Sequence, residues 1–207
     1  MSSSHALWYA ARGTGVSALV LFTATVALGV AALSRMTGTR WPRFLTQGLH
    51  RNLSLLSVVF LVVHIASSVL DTYVHLSVAD AVVPFFAGYR PLWVGLGTVA
   101  FDLVVALVVT SLLRARLGYR AWRAVHWLAY AAWPVALLHG LGAGTDARTP
   151  WMLALTGLCV GVVAVAVGVR LLVTHSGPGD TPAPTRPTPG RQLVGAVAGG
   201  RTSRIGQ

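Results

Sequence analysis

The chain has 207 residues, 55% of them hydrophobic and only 10% charged, with a formal net charge of +11. A soluble domain of this length carries about a quarter of its residues as charged groups; a water-soluble globule is therefore excluded, and apolar runs of about 20 residues put the chain in a membrane. The basic balance does not point to nucleic acid, because all 16 cations are arginine and sit in short segments between apolar runs, as topology signals do.

Five apolar segments follow in order, at residues 13–34, 53–70, 92–113, 122–141 and 151–173. Each is long enough for the ~30 Å hydrocarbon core at about 1.5 Å per residue. Inside lipid the backbone must satisfy its own hydrogen bonds, so the segments are predicted as helices. The first is long for a signal-peptide core and lacks a basic leader, so it counts as a span. The expected architecture is an all-α membrane protein, a bundle of five transmembrane helices. Residues 1–12 form an extracytoplasmic segment, residues 13–173 the membrane domain and residues 174–207 a tail. The tail is rich in Pro, Gly, Thr and Arg and is expected to be disordered. The 71–91 connection carries Val82, Val83, Phe85 and Phe86, which predicts a short interfacial helix on the outer face. Cys159 is the single cysteine and reads as a packing residue. Its solitude excludes an intrachain disulfide, a Cys-rich iron–sulfur site and covalent C-x-x-C-H haem attachment.

Orientation follows from the arginines. Arg35, Arg40, Arg43 and Arg51 lie between the first two spans, Arg114, Arg116, Arg120 and Arg123 between the third and fourth, and Arg170, Arg186, Arg191, Arg201 and Arg204 at or after the end of the fifth. The alternate side has only Arg12, Arg90 and Arg148, beside Asp71, Asp80 and Asp146. The positive-inside rule sets the N-terminus outside and the C-terminus in the cytoplasm of a multi-pass cell-membrane protein.

Four of the seven histidines sit on two spans: His50 and His64 on the second, His126 and His139 on the fourth. Ionisable groups in a membrane are costly and signal function. His64 lies 14 residues beyond His50, and His139 lies 13 beyond His126, separations of about 21 and 20 Å along a helix. The two helices run the same way, so the histidines form two rungs, His50 with His126 and His64 with His139. Two neutral imidazoles facing across a gap form the arrangement for bis-histidine ligation of a haem iron, with no iron position left open. On an ideal helix His50 and His64 differ by about 40° around the axis, but His126 and His139 by about 140°. Pro134 lies between the latter two, and a kink there is expected.

The spacings H-x13-H and H-x12-H, on spans separated by one helix, resemble the ferric-reductase-like transmembrane superfamily. That superfamily includes NADPH oxidases, ferric-chelate reductases and the haem subunit of the bacterial methionine sulfoxide reductase system. The stretches WPRFLTQGLHRNLSLLSVVFLVVH, PLWVGLG and LGYRAWRAVHWLAYAAWPVALLHGLGAGTD are similar to short stand-alone actinobacterial members, over residues 7–173. The resemblance implies two haem b groups between the second and fourth spans, and an oxidoreductase subunit that depends on a separate electron donor. Two departures stand out: five spans where six are usual, and a polar tail where FAD and NAD(P)H domains usually follow. Flavin and NAD(P)H are therefore expected to act only through a partner, with a separate flavoprotein reductase or quinol as donor and an acceptor on the outer side.

The accompanying candidates are weaker. Arg43, Arg51, Arg120 and Arg123 lie at the inner rung's level, and Arg51 and Arg123 are taken as carboxylate-binding residues for a haem's acidic side chains. Arg90 and Arg148 are the outer counterparts. Asp102, the one acid within a span, is a candidate hydrogen-bond partner to a ligand histidine or a proton relay. Trp127, Tyr130 and Trp133 are candidates to line the pocket, whereas His5, His75 and His175 read as solvent-facing. The competing class is a proton or metal transporter using a His/Asp relay; transporters usually carry repeated halves, and no internal sequence repeat of useful length is present.

Overall fold

The computed structural model describes residues 3–33, 43–71 and 74–175. Most of the expected tail, from residue 176 onward, lies outside the described residues, as do Arg35 and Arg40. The described residues form seven helices and no strand: α1 (Ser3–Leu33), α2 (Arg43–Leu70), α3 (Val78–Val82), α4 (Pro91–Leu112), α5 (Arg114–His126), α6 (Ala129–Ala143) and α7 (Pro150–His175).

Four helices are long and apolar enough to cross a membrane, over His5–Ala32, Phe44–Leu70, Pro91–Leu112 and Pro150–Val173. Their outward faces are apolar, with Val59, Val62, Leu158 and Leu172 all exposed. A lipid-bathed bundle needs no polar outer surface, so these residues are exposed without penalty. The fourth expected span differs. Residues 122–141 are divided between α5 and α6, and α6 alone has 15 residues, about 22 Å of helix against a core of about 30 Å.

The division falls at Trp127 and Leu128. Around it the backbone bonds shorten from i−4 to i−3: Leu128 N–H donates to Val125, Tyr130 to Trp127 and Ala131 to Leu128. This is a 3₁₀ stretch, tighter than an α-helix. It lies in the turn before Pro134, whose ring crowds the carbonyl four residues back and which has no N–H to offer it. The distortion attributed from sequence to Pro134 itself thus falls one turn earlier. Arg170 of α7 braces the stretch, donating to the Tyr130 hydroxyl at 3.1 Å and lying over the Trp127 ring.

α1 packs along α2 and also touches α6 and α7, while α4 packs on α6, α5 and α3. Where α1, α6 and α7 meet, Val26, Trp133 and Cys159 form a buried cluster walled by Phe22, Leu137 and Val163. The indole N–H of Trp133 donates to Thr23 Oγ1 at 2.9 Å, so this polar edge is satisfied in an otherwise apolar core. Cys159 is therefore a packing residue.

The helix ends sort into two groups. At one end Arg12 of α1 pairs with Asp146 in the α6–α7 turn and donates to Thr145 Oγ1 at 2.8 Å. At the same end Arg90, just before α4, donates to the Gly142 carbonyl of α6 at 2.6 Å. The starts of α1, α4 and α7 thus meet the last turns of α2 and α6. The other end carries Arg51, Arg114, Arg120 and Arg123. α3 covers the aspartate-bearing end. Its Ser77–Asp80 capping box closes the short helix, and Thr98 of α4 donates to the Asp80 carbonyl at 2.8 Å.

Candidate functional site

Between α2 on one side and α4–α6 on the other, with α1 as a wall, runs a cavity of about 1170 Å³. A site for one drug-sized ligand typically measures about 300–1,000 Å³, so this space is large for a single small molecule. All four span histidines line it. His50 faces His126 with ring centres 6.3 Å apart, and His64 faces His139 at 6.2 Å. The ring planes are steeply inclined, at 65° and 74°.

Two imidazoles bound to opposite faces of one metal have centres about 6.2 Å apart, taking metal–nitrogen bonds of about 2.0 Å and about 1.1 Å from nitrogen to ring centre. Both pairs match it. Among the described residues no three His, Cys, Asp or Glu side chains group closely enough to hold a metal ion. A bare ion would thus lack its usual four ligands, whereas an iron held by a porphyrin needs only two axial ones.

Hydrogen bonding at three of the rings settles which nitrogen is left free. His50 Nδ1 lies 3.0 Å from the Thr25 carbonyl, His64 Nδ1 2.7 Å from that of Ala11, and His139 Nδ1 2.8 Å from that of Trp93. A carbonyl can only accept, so each Nδ1 carries the hydrogen and Nε2 keeps the lone pair that a metal would use. Such an outer bond also fixes the ring and raises its basicity as a ligand. His126 is the exception. Its Nδ1 is buried without a hydrogen-bond partner, and its ring is stacked by Trp122 at 4.9 Å and 26°.

The 13-residue spacing of His126 and His139 no longer conflicts with a shared face. Between them lie about four 3₁₀ steps, each turning about 120° and rising about 2.0 Å. Together with nine α steps they rise about 21 Å and return to within about 60° of the starting direction. The 14 α steps from His50 to His64 rise about 21 Å and return to within about 40°. The tightened stretch therefore brings the two rungs into register.

A family model for the ferric reductase like transmembrane component matches residues 14–137, more than half of the chain. The chain belongs to this ferric-reductase-like family. No curated protein and no solved structure matches it. The matched region holds His50, His64 and His126 and ends two residues short of His139, so the fourth histidine rests on geometry.

The remaining candidates in this ferric-reductase-like chain are distributed unevenly. Arg51 and Arg123 line the cavity at its arginine-rich end, joined by Arg114, which lies 4.8 Å over the Trp122 ring. Arg120 lies outside the cavity wall, and Arg43 contributes no described side chain. At the opposite end neither Arg90 nor Arg148 reaches the cavity, but Arg12 does. Sequence reading counted Arg12 only for topology. No sequence signal marks it, because its place beside the Ala11 carbonyl that receives His64 is a product of the fold. Asp102 is exposed on α4 and does not border the cavity. Trp127 and Tyr130 do border it, whereas Trp133 belongs to the core.

Proposed function

We propose that this chain conducts electrons across a cell membrane between two bis-histidine haem b sites. The single observation carrying this reading is the pair of facing imidazoles at each end of one cavity, 6.3 and 6.2 Å apart. His50 and His126 hold one haem near the arginine-rich side, and His64 and His139 hold the other near the aspartate side. Haem iron, when bound, supplies reversible one-electron redox chemistry without an open coordination position.

The chain's residues do the rest. Backbone carbonyls of Ala11, Thr25 and Trp93 hold three imidazoles in the tautomer that presents Nε2. Arg51 and Arg123 at one end supply cations for acidic haem side chains, while Arg12 at the other borders the cavity with its guanidinium paired to Asp146. The apolar helices exclude water, which keeps electrons from leaking to solvent species along the way. The segment containing α6 acts as the fifth crossing. It runs from the arginine-rich end, where His126 meets His50, to the aspartate end, where Gly142 meets Arg90. The arginine-rich end is cytoplasmic by the positive-inside rule. Electrons enter there from a flavoprotein reductase or a membrane quinol and leave on the outer side to an acceptor. The chain then serves as the membrane subunit of an oxidoreductase. The competing relay for proton or metal transport is drawn through Asp102, which does not border the histidine cavity; the carboxylates that do, Asp71 and Asp80, lie at one end of it, beyond the outer histidine pair.

The test is spectroscopic. Protein purified in detergent from haem-replete cells is expected to show a b-type spectrum on dithionite reduction, with close to two haems per chain by pyridine haemochrome. A colourless protein would overturn the proposal.

A further inference from the structure

Three of the four histidines meet the same local device on a neighbouring helix. His64 lies against Gly15, where an added Cβ would sit 2.9 Å from Nδ1, and donates to the carbonyl of Ala11, four residues before that glycine. His50 lies against Gly29, where a Cβ would sit 3.3 Å from Cε1, and donates to Thr25, again four residues before. His139 lies against Gly97, where a Cβ would sit 2.6 Å from the ring, and donates to Trp93, four residues before. In each case the glycine removes the side chain that would screen the carbonyl one turn below it, so an imidazole can reach a backbone acceptor already bonded within its helix. A carbonyl has two lone pairs and accepts both bonds.

The seats are periodic. Gly15 and Gly29 are 14 residues apart on α1, as His50 and His64 are on α2. Since α1 and α2 run antiparallel, one spacing serves both levels. On α4 the same step from Gly97 and Trp93 leads to Ser111 and Leu107, the level of His126. There the glycine is missing. Ser111 has a Cβ, and His126 Nδ1 makes no hydrogen bond to the Leu107 carbonyl or to any other described group. The Trp122 indole donates to Ser111 Oγ at 3.3 Å and stacks on His126.

We infer that Gly15, Gly29 and Gly97 are positioning residues that seat His64, His50 and His139 on backbone carbonyls, and that His126 has a different seat made by Trp122 on Ser111. This rests on the haem reading proposed above. The cytoplasmic pair is then chemically asymmetric, with one carbonyl-bonded imidazole and one stacked imidazole, while the outer pair has two carbonyl bonds. A ligand that loses its carbonyl bond becomes less basic, stabilises the oxidised iron less and raises that haem's midpoint potential.

The experiment uses full-length protein in detergent and compares glycines that face a histidine with glycines that do not. Gly13→Ala on α1 and Gly157→Ala on α7, both away from the cavity lining, add a Cβ with nothing within 4 Å. They are expected to keep haem content and both midpoint potentials. Gly15→Ala and Gly97→Ala are expected to lose the outer haem, and Gly29→Ala, with the milder contact, to retain two haems with the inner midpoint shifted upward. Trp122→Leu is expected to perturb the inner haem alone. If Gly15→Ala or Gly97→Ala yields no folded protein, Gly29→Ala and Trp122→Leu carry the test through potentiometry. Should wild type hold two haems while Gly15→Ala matches Gly13→Ala and Gly29→Ala leaves both potentials unmoved, the seats are refuted and the haem reading survives. A wild type without haem refutes both.

Discussion

The sharpest consequence of the paired geometry concerns double substitutions. His64 and His139 face one another at 6.2 Å, and His50 and His126 at 6.3 Å, with the two levels separated by 14 helical residues, or about 21 Å. Substitutions further apart than about 7–10 Å without shared partners act independently, whereas residues sharing one partner do not. His139→Ala is therefore expected to lower haem from two per chain to one, halving the reduced-minus-oxidised amplitude. Adding His64→Ala should change little, because both residues serve the same iron. Adding His126→Ala should remove the remaining haem. Pyridine haemochrome on matched, monodisperse preparations reads this directly. The reasoning fails if the His64/His139 double variant loses both haems while each single variant loses one, since the two residues would then serve different groups.

Three further outcomes follow from the packing. Trp133→Ala empties the cluster joining α1, α6 and α7 and is expected to cost about 3–5 kcal/mol, seen as earlier thermal unfolding by circular dichroism in detergent; a melting curve equal to wild type would contradict its place in the core. Asp146→Asn weakens the link from Arg12 to the α6–α7 turn; the side chains are 20% and 24% exposed, so the expected loss is about 1 kcal/mol, and an effect on the inner haem would be inconsistent with its position. Asp102→Asn is expected to leave both haems and their reduction rates unchanged, because the residue is exposed on α4 away from the cavity; a slowed reduction step would restore it as a proton-handling group.

Much of this arrangement is legible without coordinates, because a bilayer simplifies the code. Apolar runs mark the helices, arginines mark one end, and a histidine inside a span stands out against its surroundings. Depth can be read from residue counts, which is why the pairing of His50 with His126 and of His64 with His139 is visible from numbers alone. What resists reading is whatever depends on which face a helix turns. Asp102 and Trp133 both look like cavity residues by depth, yet one turns to the lipid side and the other into the core. Arg12 shows the converse, since its charge suggests topology and only its angle on α1 brings it to the cavity.

The fourth span shows why angle is the harder quantity. A 13-residue interval read as ideal α-helix sends His126 and His139 to opposite sides, a conflict in the sequence that looks like evidence against shared ligation. It disappears once a few backbone bonds shift from i−4 to i−3 between Val125 and Ala131. That shift supplies both the missing rotation and the missing rise, so 13 residues span what 14 span on α2. Pro134 makes the change inexpensive, since the turn before a proline has already lost a helical bond. The proline and the shortened spacing are thus one feature. Inserting a residue between Leu128 and Ala131 to make the interval 14 should misplace His126 relative to His50 rather than idealise the helix, because the 3₁₀ rotation would then be added to a spacing that no longer needs it.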